Sequence, residues 1–354
     1  MKSDNSSSSF SVNRRNLASS LALLPALTGT LLSSSARAQV TQGDPLASWN
    51  DGPAKQAIID FVRVTTDRSS PKFVPPEQRI ATSDQDGTLW VEYPMYTQVL
   101  YCLERVPAVV AQKPELKNVE PFKTVLSGDQ EAIAKLSVHD LEPIIFATLF
   151  GMSVTEYEAQ VKKWLETARD MRWHRPYTEL IYQPMLEMLR HLRDNGYKTY
   201  IVSGGGQDFV RLYSQQVYGI PPEQVVGTAG GLEYGYDKDG KPFLTREPKL
   251  LLNDDNAGKP EGIHLMIGRR PHAAFGNSTG DRQMLEYTAA GDGARLMMLV
   301  FHDDAQREYA YGPAQGLPAP KVGTFTQALY DEAKKNGWTL ISMKNDWKRI
   351  FAFE

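Results

Sequence analysis

Short, nearly unbroken apolar runs recur along this chain, and each ends in Gly, Ser, Asp or Asn. Arg79-Ile80-Ala81-Thr82-Ser83, Tyr197-Lys198-Thr199-Tyr200-Ile201-Val202, His272-Ala273-Ala274-Phe275-Gly276 and residues 296–301 have this form. Runs of this length predict strands buried on both faces, as in a parallel sheet. Between them the period changes. Residues 54–65 put Ile58, Ile59, Phe61 and Val62 at helical spacing, and residues 179–195 do the same with Leu180, Ile181, Met185, Leu186, Met188, Leu189 and Leu192. Gly196 is the natural stop of that second helix. Further helices are expected at 207–218 and within 323–337. A hairpin is expected from 225–236 and 241–249, turning at Lys238-Asp239-Gly240. Residues 338–341 and 347–353 read as a C-terminal strand and tail. Strand–helix alternation predicts an α/β fold, a mainly parallel sheet with helices on both faces.

One interruption stands out. More than a hundred residues separate Asp84 from Ser203, too many for a simple crossover between parallel strands. Residues 97–105 and 130–134 read as helical, and 138–150 is apolar on more than one face. Ser153-Val154-Thr155-Glu156 is a capping-box pattern opening a helix to about residue 169. Residues 92–178 are therefore expected to form an inserted helical cap, with the core made of 39–91 and 179–354. Residues 39–52 are expected to be loosely ordered, and the Pro-rich stretch 69–78 to be an extended loop.

The N-terminus reads as a targeting segment. A polar stretch carrying Arg14-Arg15 precedes the apolar residues 17–32 and then Ala36-Arg37-Ala38, a small-x-small cleavage pattern. The segment is too short and too rich in Ser and Thr for a membrane span. The paired arginines suggest the twin-arginine route, with cleavage after Ala38 and a periplasmic or secreted product that keeps no stable membrane insertion and meets the export machinery only transiently. An ordinary secretory signal is the alternative. The formal charge is −3. Residues 1–38 carry +3 (Lys2, Arg14, Arg15 and Arg37 against Asp4), which leaves the remainder at −6. A mildly acidic chain without a long basic run is not built for nucleic acid or an anionic membrane surface. The one cysteine, Cys102, excludes an internal disulfide and is read as a small buried apolar residue.

The chemistry begins at Asp84-Gln85-Asp86-Gly87-Thr88, directly after the first expected strand. Two carboxylates two residues apart leave the same side of a strand and reach one small volume. One can attack phosphorus, the other can handle a proton, and together they can hold a hard cation. A surface turn is the bland alternative, since Asp-Gly is a common turn dipeptide. Downstream, the second expected strand ends in Ser203-Gly204-Gly205-Gly206. Lys259 follows in Gly258-Lys259-Pro260, and the third strand ends in Asn277-Ser278-Thr279-Gly280-Asp281. The six histidines show no HxH or HxxxH spacing, which argues against zinc.

This order of motifs resembles the haloacid dehalogenase (HAD) superfamily, and within it the phosphoserine phosphatase group, from about residue 80 to 301. The resemblance implies a Rossmann-like core with an inserted cap and an Mg²⁺-dependent phosphomonoester hydrolase acting through an aspartyl-phosphate. Asp84 would be the nucleophile and Asp86 the general acid and base. Ser203 and the Gly204 backbone would bind phosphate, with Lys259 neutralising charge and Lys249 as its competitor. Asp84, the Asp86 carbonyl, Asn277 and Asp281 would bind Mg²⁺. Asn277 departs from the pattern, because an acid usually stands there. Glu92 could pair with a substrate ammonium, but lies one residue closer to Asp84 than the family's acid. Tyr93 and its aromatic neighbours could instead surround a quaternary ammonium, as the superfamily's phosphorylcholine phosphatases suggest. Arg172 could meet a carboxylate or a second phosphate. The expected partner is a small phosphorylated metabolite. The rivals are a C–halogen hydrolase, disfavoured because Asp86 is present, and a weakly active or non-catalytic binding protein, motivated by Asn277.

Overall fold

The computed structural model describes residues 43–354, so the expected export signal and its cleavage point lie outside the described residues. Seven strands form one sheet in the order β4-β3-β2-β1-β5-β6-β7. They are β1 (Ile80–Ser83), β2 (Lys198–Gly206), β3 (Val225–Tyr236), β4 (Pro242–Leu252), β5 (Ala273–Gly276), β6 (Leu296–Phe301) and β7 (Thr339–Ser342). All neighbours pair in parallel except β3 and β4, which form the expected antiparallel hairpin. The fold is thus the α/β, Rossmann-like arrangement expected from the alternation. All four residues of β1 and of β5 are buried, the signature of central strands covered on both faces.

The chain runs outward from β1 to β2 and β3, and later returns to its other side through β5, β6 and β7. The crevice outside the carboxyl ends of such strands, where the order reverses, is where open α/β sheets bind ligands. Register brings the motifs level there. Ser83 pairs with Ile201 on one side and Phe275 on the other. Asp84, Ser203 and Asn277 therefore leave adjacent strands at nearly the same height, and the Asp84 amide donates to the Phe275 carbonyl at 2.8 Å.

Between β1 and the helix leading into β2 lie five α-helices: Thr97–Gln112, Phe122–Ser127, Gln130–Lys135, Glu142–Leu149 and Val154–Thr167. Ser153 caps the last by accepting from the Glu156 amide at 3.1 Å. Among the described residues, no helix is long and apolar enough to cross a membrane.

Three expectations are corrected. Residues 43–52 are not loose. Leu46 and Trp49 are fully buried, Trp49 meets Trp347 edge-on at 6.1 Å, and its Nε1 donates to the Pro184 carbonyl. The helix expected from residue 179 starts later, at Gln183–Asp194, with Pro184 in the first turn where a missing N–H costs nothing. Ile181, expected on that helix, bridges to Trp90 instead. The helix expected at 207–218 is two short ones, Gln207–Arg211 and Ser214–Tyr218, broken where the Tyr213 ring stacks on Trp90 at 4.8 Å.

Candidate active site

Asp84 is the first residue beyond β1, buried at the floor of a cavity of about 360 Å³. The five-residue turn after β1 is held by its own backbone: the Gly87 amide donates to the Trp90 carbonyl and the Leu89 amide to the Gln85 carbonyl. Gly87 has φ +74°, and a methyl group there would overlap the Asn277 amide and the Glu92 carboxylate. Glycine is therefore required at this position.

Lys259 anchors the cluster. It is 2 % exposed, and its ammonium donates to Asp84 Oδ1 at 2.5 Å, Asp281 Oδ1 at 2.5 Å and the Val202 carbonyl at 3.0 Å. An ammonium has three donors, and all three are used. Burial and the charge of Asp281 push Asp84 up, to about 8, against the pull of Lys259. Burial alone would lower Lys259, but Asp281 and Asp84 together raise it above its ordinary value. Lys249, the other candidate, does not line the cavity.

Asp86 is only half-buried and faces the cavity. Its surroundings nonetheless push it up to about 6 through desolvation, opposed by the Trp90 indole N–H, which donates to Oδ1 at 2.7 Å. Ser203 is buried on the wall and its Oγ accepts from the Gly205 amide at 3.0 Å, which leaves its own proton free to donate. The Gly206 amide is held by Gln98 Oε1 at 2.7 Å, so the inserted helix Thr97–Gln112 touches the glycine turn directly.

Asn277 stands beyond β5. Its Nδ2 donates to Glu92 Oε1 at 2.7 Å, and its Oδ1 accepts from Thr88 Oγ1 at 3.1 Å. The same hydroxyl lies 3.3 Å from Asp84 Oδ2, so the Asp84 and Asn277 oxygens both face Thr88. Glu92 is fully enclosed and raised well above the ordinary carboxylate range by burial and by the charge of Asp86. Its Oε1 also accepts from the Tyr311 hydroxyl at 2.9 Å.

The expected residues thus largely meet: Asp84, Asp86, Ser203, Gly204, Lys259 and Glu92 all line one cavity. Three are placed otherwise. Asp281 was expected as a metal ligand, but Oδ1 is taken by Lys259 and Oδ2 by the Asn277 and Ser278 amides at 2.9 and 3.0 Å. It orients the lysine and shapes its own turn. Arg172 does not reach the cavity. It donates to the Ala305 and Gln306 carbonyls and lies over the Tyr309 and Trp173 rings. Tyr93 stacks on Tyr311 at 4.9 Å and packs on Tyr309, behind the cavity wall rather than in it. Glu92 itself turns Oε1 toward Asn277, not toward a substrate ammonium.

Some supporting residues had no sequence signal. His302 links the Gly87 carbonyl (2.8 Å) to Glu308 (3.2 Å) and stacks on Tyr311. Asp254 is fully buried beside the cluster, and burial pushes it up to about 8. The polar run Asn253-Asp254-Asp255-Asn256 was its only trace in the sequence.

Among the described residues, no group of three or more His, Cys, Asp or Glu is arranged as a ready metal cage. The groups that face each other across the Thr88 hydroxyl, Asp84 Oδ2 and Asn277 Oδ1, are oxygens. An all-oxygen set fits a hard cation such as Mg²⁺, which keeps several waters and needs few protein ligands.

A doubly wound, mainly parallel sheet with two carboxylates at the end of its central strand, one tied to a buried lysine, defines an α/β protein with an acidic site at its switch point. The chain belongs to the HAD family, haloacid dehalogenase-like hydrolase, whose model matches residues 81–286. Among curated proteins, none matches the chain. Among solved structures, it is similar to a conserved functionally unknown protein from Anaerococcus prevotii DSM 20548, at 15% identity and TM-score 0.50, covering 81% of this chain and 91% of that one. A protein with unknown function from Bordetella pertussis Tohama I aligns at 12% identity and TM-score 0.45, over 75% and 98% of the two chains. A phosphoserine phosphohydrolase-like protein from Francisella tularensis subsp. tularensis SCHU S4 aligns at 16% and 0.35, over 63% and 88%. At 15% identity the likeness to the first of these is one of fold alone.

Proposed function

We propose that this protein is an Mg²⁺-dependent phosphomonoester hydrolase acting on a small molecule through an aspartyl-phosphate. The observation that carries this reading is the pairing at the end of β1. Asp84 is fixed by Lys259 at 2.5 Å, and Asp86, two residues on, is held near pKa 6 beside the same cavity.

Asp84 attacks phosphorus, and the P–O bond to the leaving group breaks as Asp86 protonates the departing oxygen. Asp86, now ionised, then takes a proton from water. That water attacks the acyl phosphate and releases inorganic phosphate, regenerating ionised Asp84 and protonated Asp86. A group with a pKa near the working pH suits both halves. Ser203 donates to a phosphoryl oxygen, and Lys259 offsets the charge that builds there. Asp84, Asn277 and the Asp86 main-chain carbonyl would hold Mg²⁺, which supplies further charge neutralisation when bound and opposes the upward shift of Asp84. A C–halogen hydrolase would have no use for Asp86.

The test is phosphate release from a generic aryl phosphate with Mg²⁺, with chelator, and with Asp84→Asn. Metal-dependent release lost in the variant supports the reading. No release by the folded protein in excess Mg²⁺ moves the assignment to a binding protein on this fold. The Arg14-Arg15 segment and Ala36-Arg37-Ala38 support export by the twin-arginine route. Replacing both arginines by lysine is then expected to retain the precursor in the cytoplasm, as read by cell fractionation.

A further inference from the structure

The catalytic groups occupy only one end of the cavity. The rest is mainly apolar, walled by Val99 and Cys102 from Thr97–Gln112, by Ile145, Phe146 and Leu149 from Glu142–Leu149, and by Phe150; Tyr96, Gln98, Thr228, Asn253 and Asp255 are the polar points on the lining. Among the described residues, the cation lining that side, Arg246, is already engaged. Its Nε donates to the Leu149 carbonyl at 2.7 Å, its Nη1 pairs with Asp208, and it lies over the Tyr157 ring at 4.1 Å. Glu92, the carboxylate expected to meet an ammonium, has its Oε1 already taken by Asn277 and Tyr311.

Resting on the hydrolase reading above, we infer that the group esterified to phosphate is apolar and uncharged, an alkyl or aryl chain, and not the serine or choline of the sequence-based expectation. A charged head would find few polar points on these mainly apolar walls and would leave part of its charge desolvated and unpaired, which is costly. A methylene in the same place gains about fourfold in affinity from burial alone. The volume of about 360 Å³ falls within the range of small-molecule sites, so the chain has room beyond the phosphate.

The experiment measures kcat/KM for n-alkyl phosphates from ethyl to octyl, beside phosphoserine and phosphorylcholine, with Mg²⁺. The expected result is a rise of about two- to fourfold per methylene until the cavity is filled, with propyl phosphate above phosphoserine and phosphorylcholine. Ile145→Ser is expected to lower the hexyl-to-ethyl ratio at least threefold. A ratio measured on one preparation is insensitive to the fraction folded. Hydrolysis that Asp84→Asn abolishes, but with no dependence on chain length or with phosphoserine or phosphorylcholine preferred, overturns this inference and leaves the hydrolase reading standing. No hydrolysis of any ester overturns both.

Discussion

Lys259→Met tests the electrostatic arrangement of the site directly. Methionine nearly fills the space of the lysine stem, so the change removes charge and donors rather than packing. It leaves Asp84 Oδ1 and Asp281 Oδ1, each 2.5 Å from the lost ammonium, buried without a cation between them. Removing one partner of a buried ion pair costs about 3–5 kcal/mol. The variant limits that cost by keeping a proton. In the wild type Asp84 is already raised to about 8, and loss of the ammonium adds one further proton to the carboxylates around it. A carboxyl whose folded pKa lies above its unfolded value of about 3.9 contributes full stability below that value and loses it as pH rises toward the folded pKa. One additional raised carboxyl therefore costs about 1.4 kcal/mol per pH unit, or about 2.7 kcal/mol between pH 4 and pH 6. The assay is urea unfolding with chelator, from pH 4.5 to 7.5. The variant is expected to lie close to the wild type at the acid end and about 3–5 kcal/mol below it at pH 7. A difference under about 1 kcal/mol at pH 7, flat with pH, would show that Lys259 does not hold these carboxylates together and would refute the reasoning.

Two other substitutions probe the turn after β1. Trp90→Phe removes the N–H that favours ionised Asp86, so the alkaline limb of the kcat/KM profile is expected to move up by roughly one pH unit relative to wild type. An unmoved or lowered limb sinks that assignment. Gly87→Ala forces a side chain onto φ +74° and into the Asn277–Glu92 contact, and is expected to cost at least about 2 kcal/mol in unfolding experiments and most of the activity. A variant as stable and active as wild type would mean that the contact does not shape the site.

The strand ends were readable because central parallel strands are buried on both faces and leave unbroken apolar runs, after which Asp84, Ser203 and Asn277 are forced to follow. The insertion was readable as helical from its apolar spacing and from the Ser153 cap. What escaped the sequence depends on contacts between distant residues. Trp49 packs on Trp347, and Tyr311 reaches Glu92 across 219 positions. Local periodicity carries no trace of either. Arg172 and Tyr93 looked like ligand-binding residues because charge and aromaticity are visible in a sequence, whereas prior engagement by Tyr309, Tyr311 and the Ala305 and Gln306 carbonyls is not. Asp281 kept its place in the site but not its role, since only the fold brings two backbone amides and Lys259 to its oxygens.

The same reasoning bears on Asn277, whose missing charge motivated the reading of a non-catalytic protein. Its amide is oriented from both sides, donating to Glu92 and accepting from Thr88. An aspartate there would set a second carboxylate about 2.7 Å from Glu92 Oε1 in a buried site, where like charges cannot both ionise cheaply. The amide turns that repulsion into a hydrogen bond while still presenting an oxygen beside Asp84 Oδ2. The carboxyl group absent at the end of β5 is therefore present one contact further back, on Glu92, where burial favours its neutral form. It was invisible there because Glu92 lies 185 positions away in sequence and next to the first motif rather than the last. Asn277 is in this light the partner that Glu92 requires, and an amide at this position is not by itself an argument against catalysis.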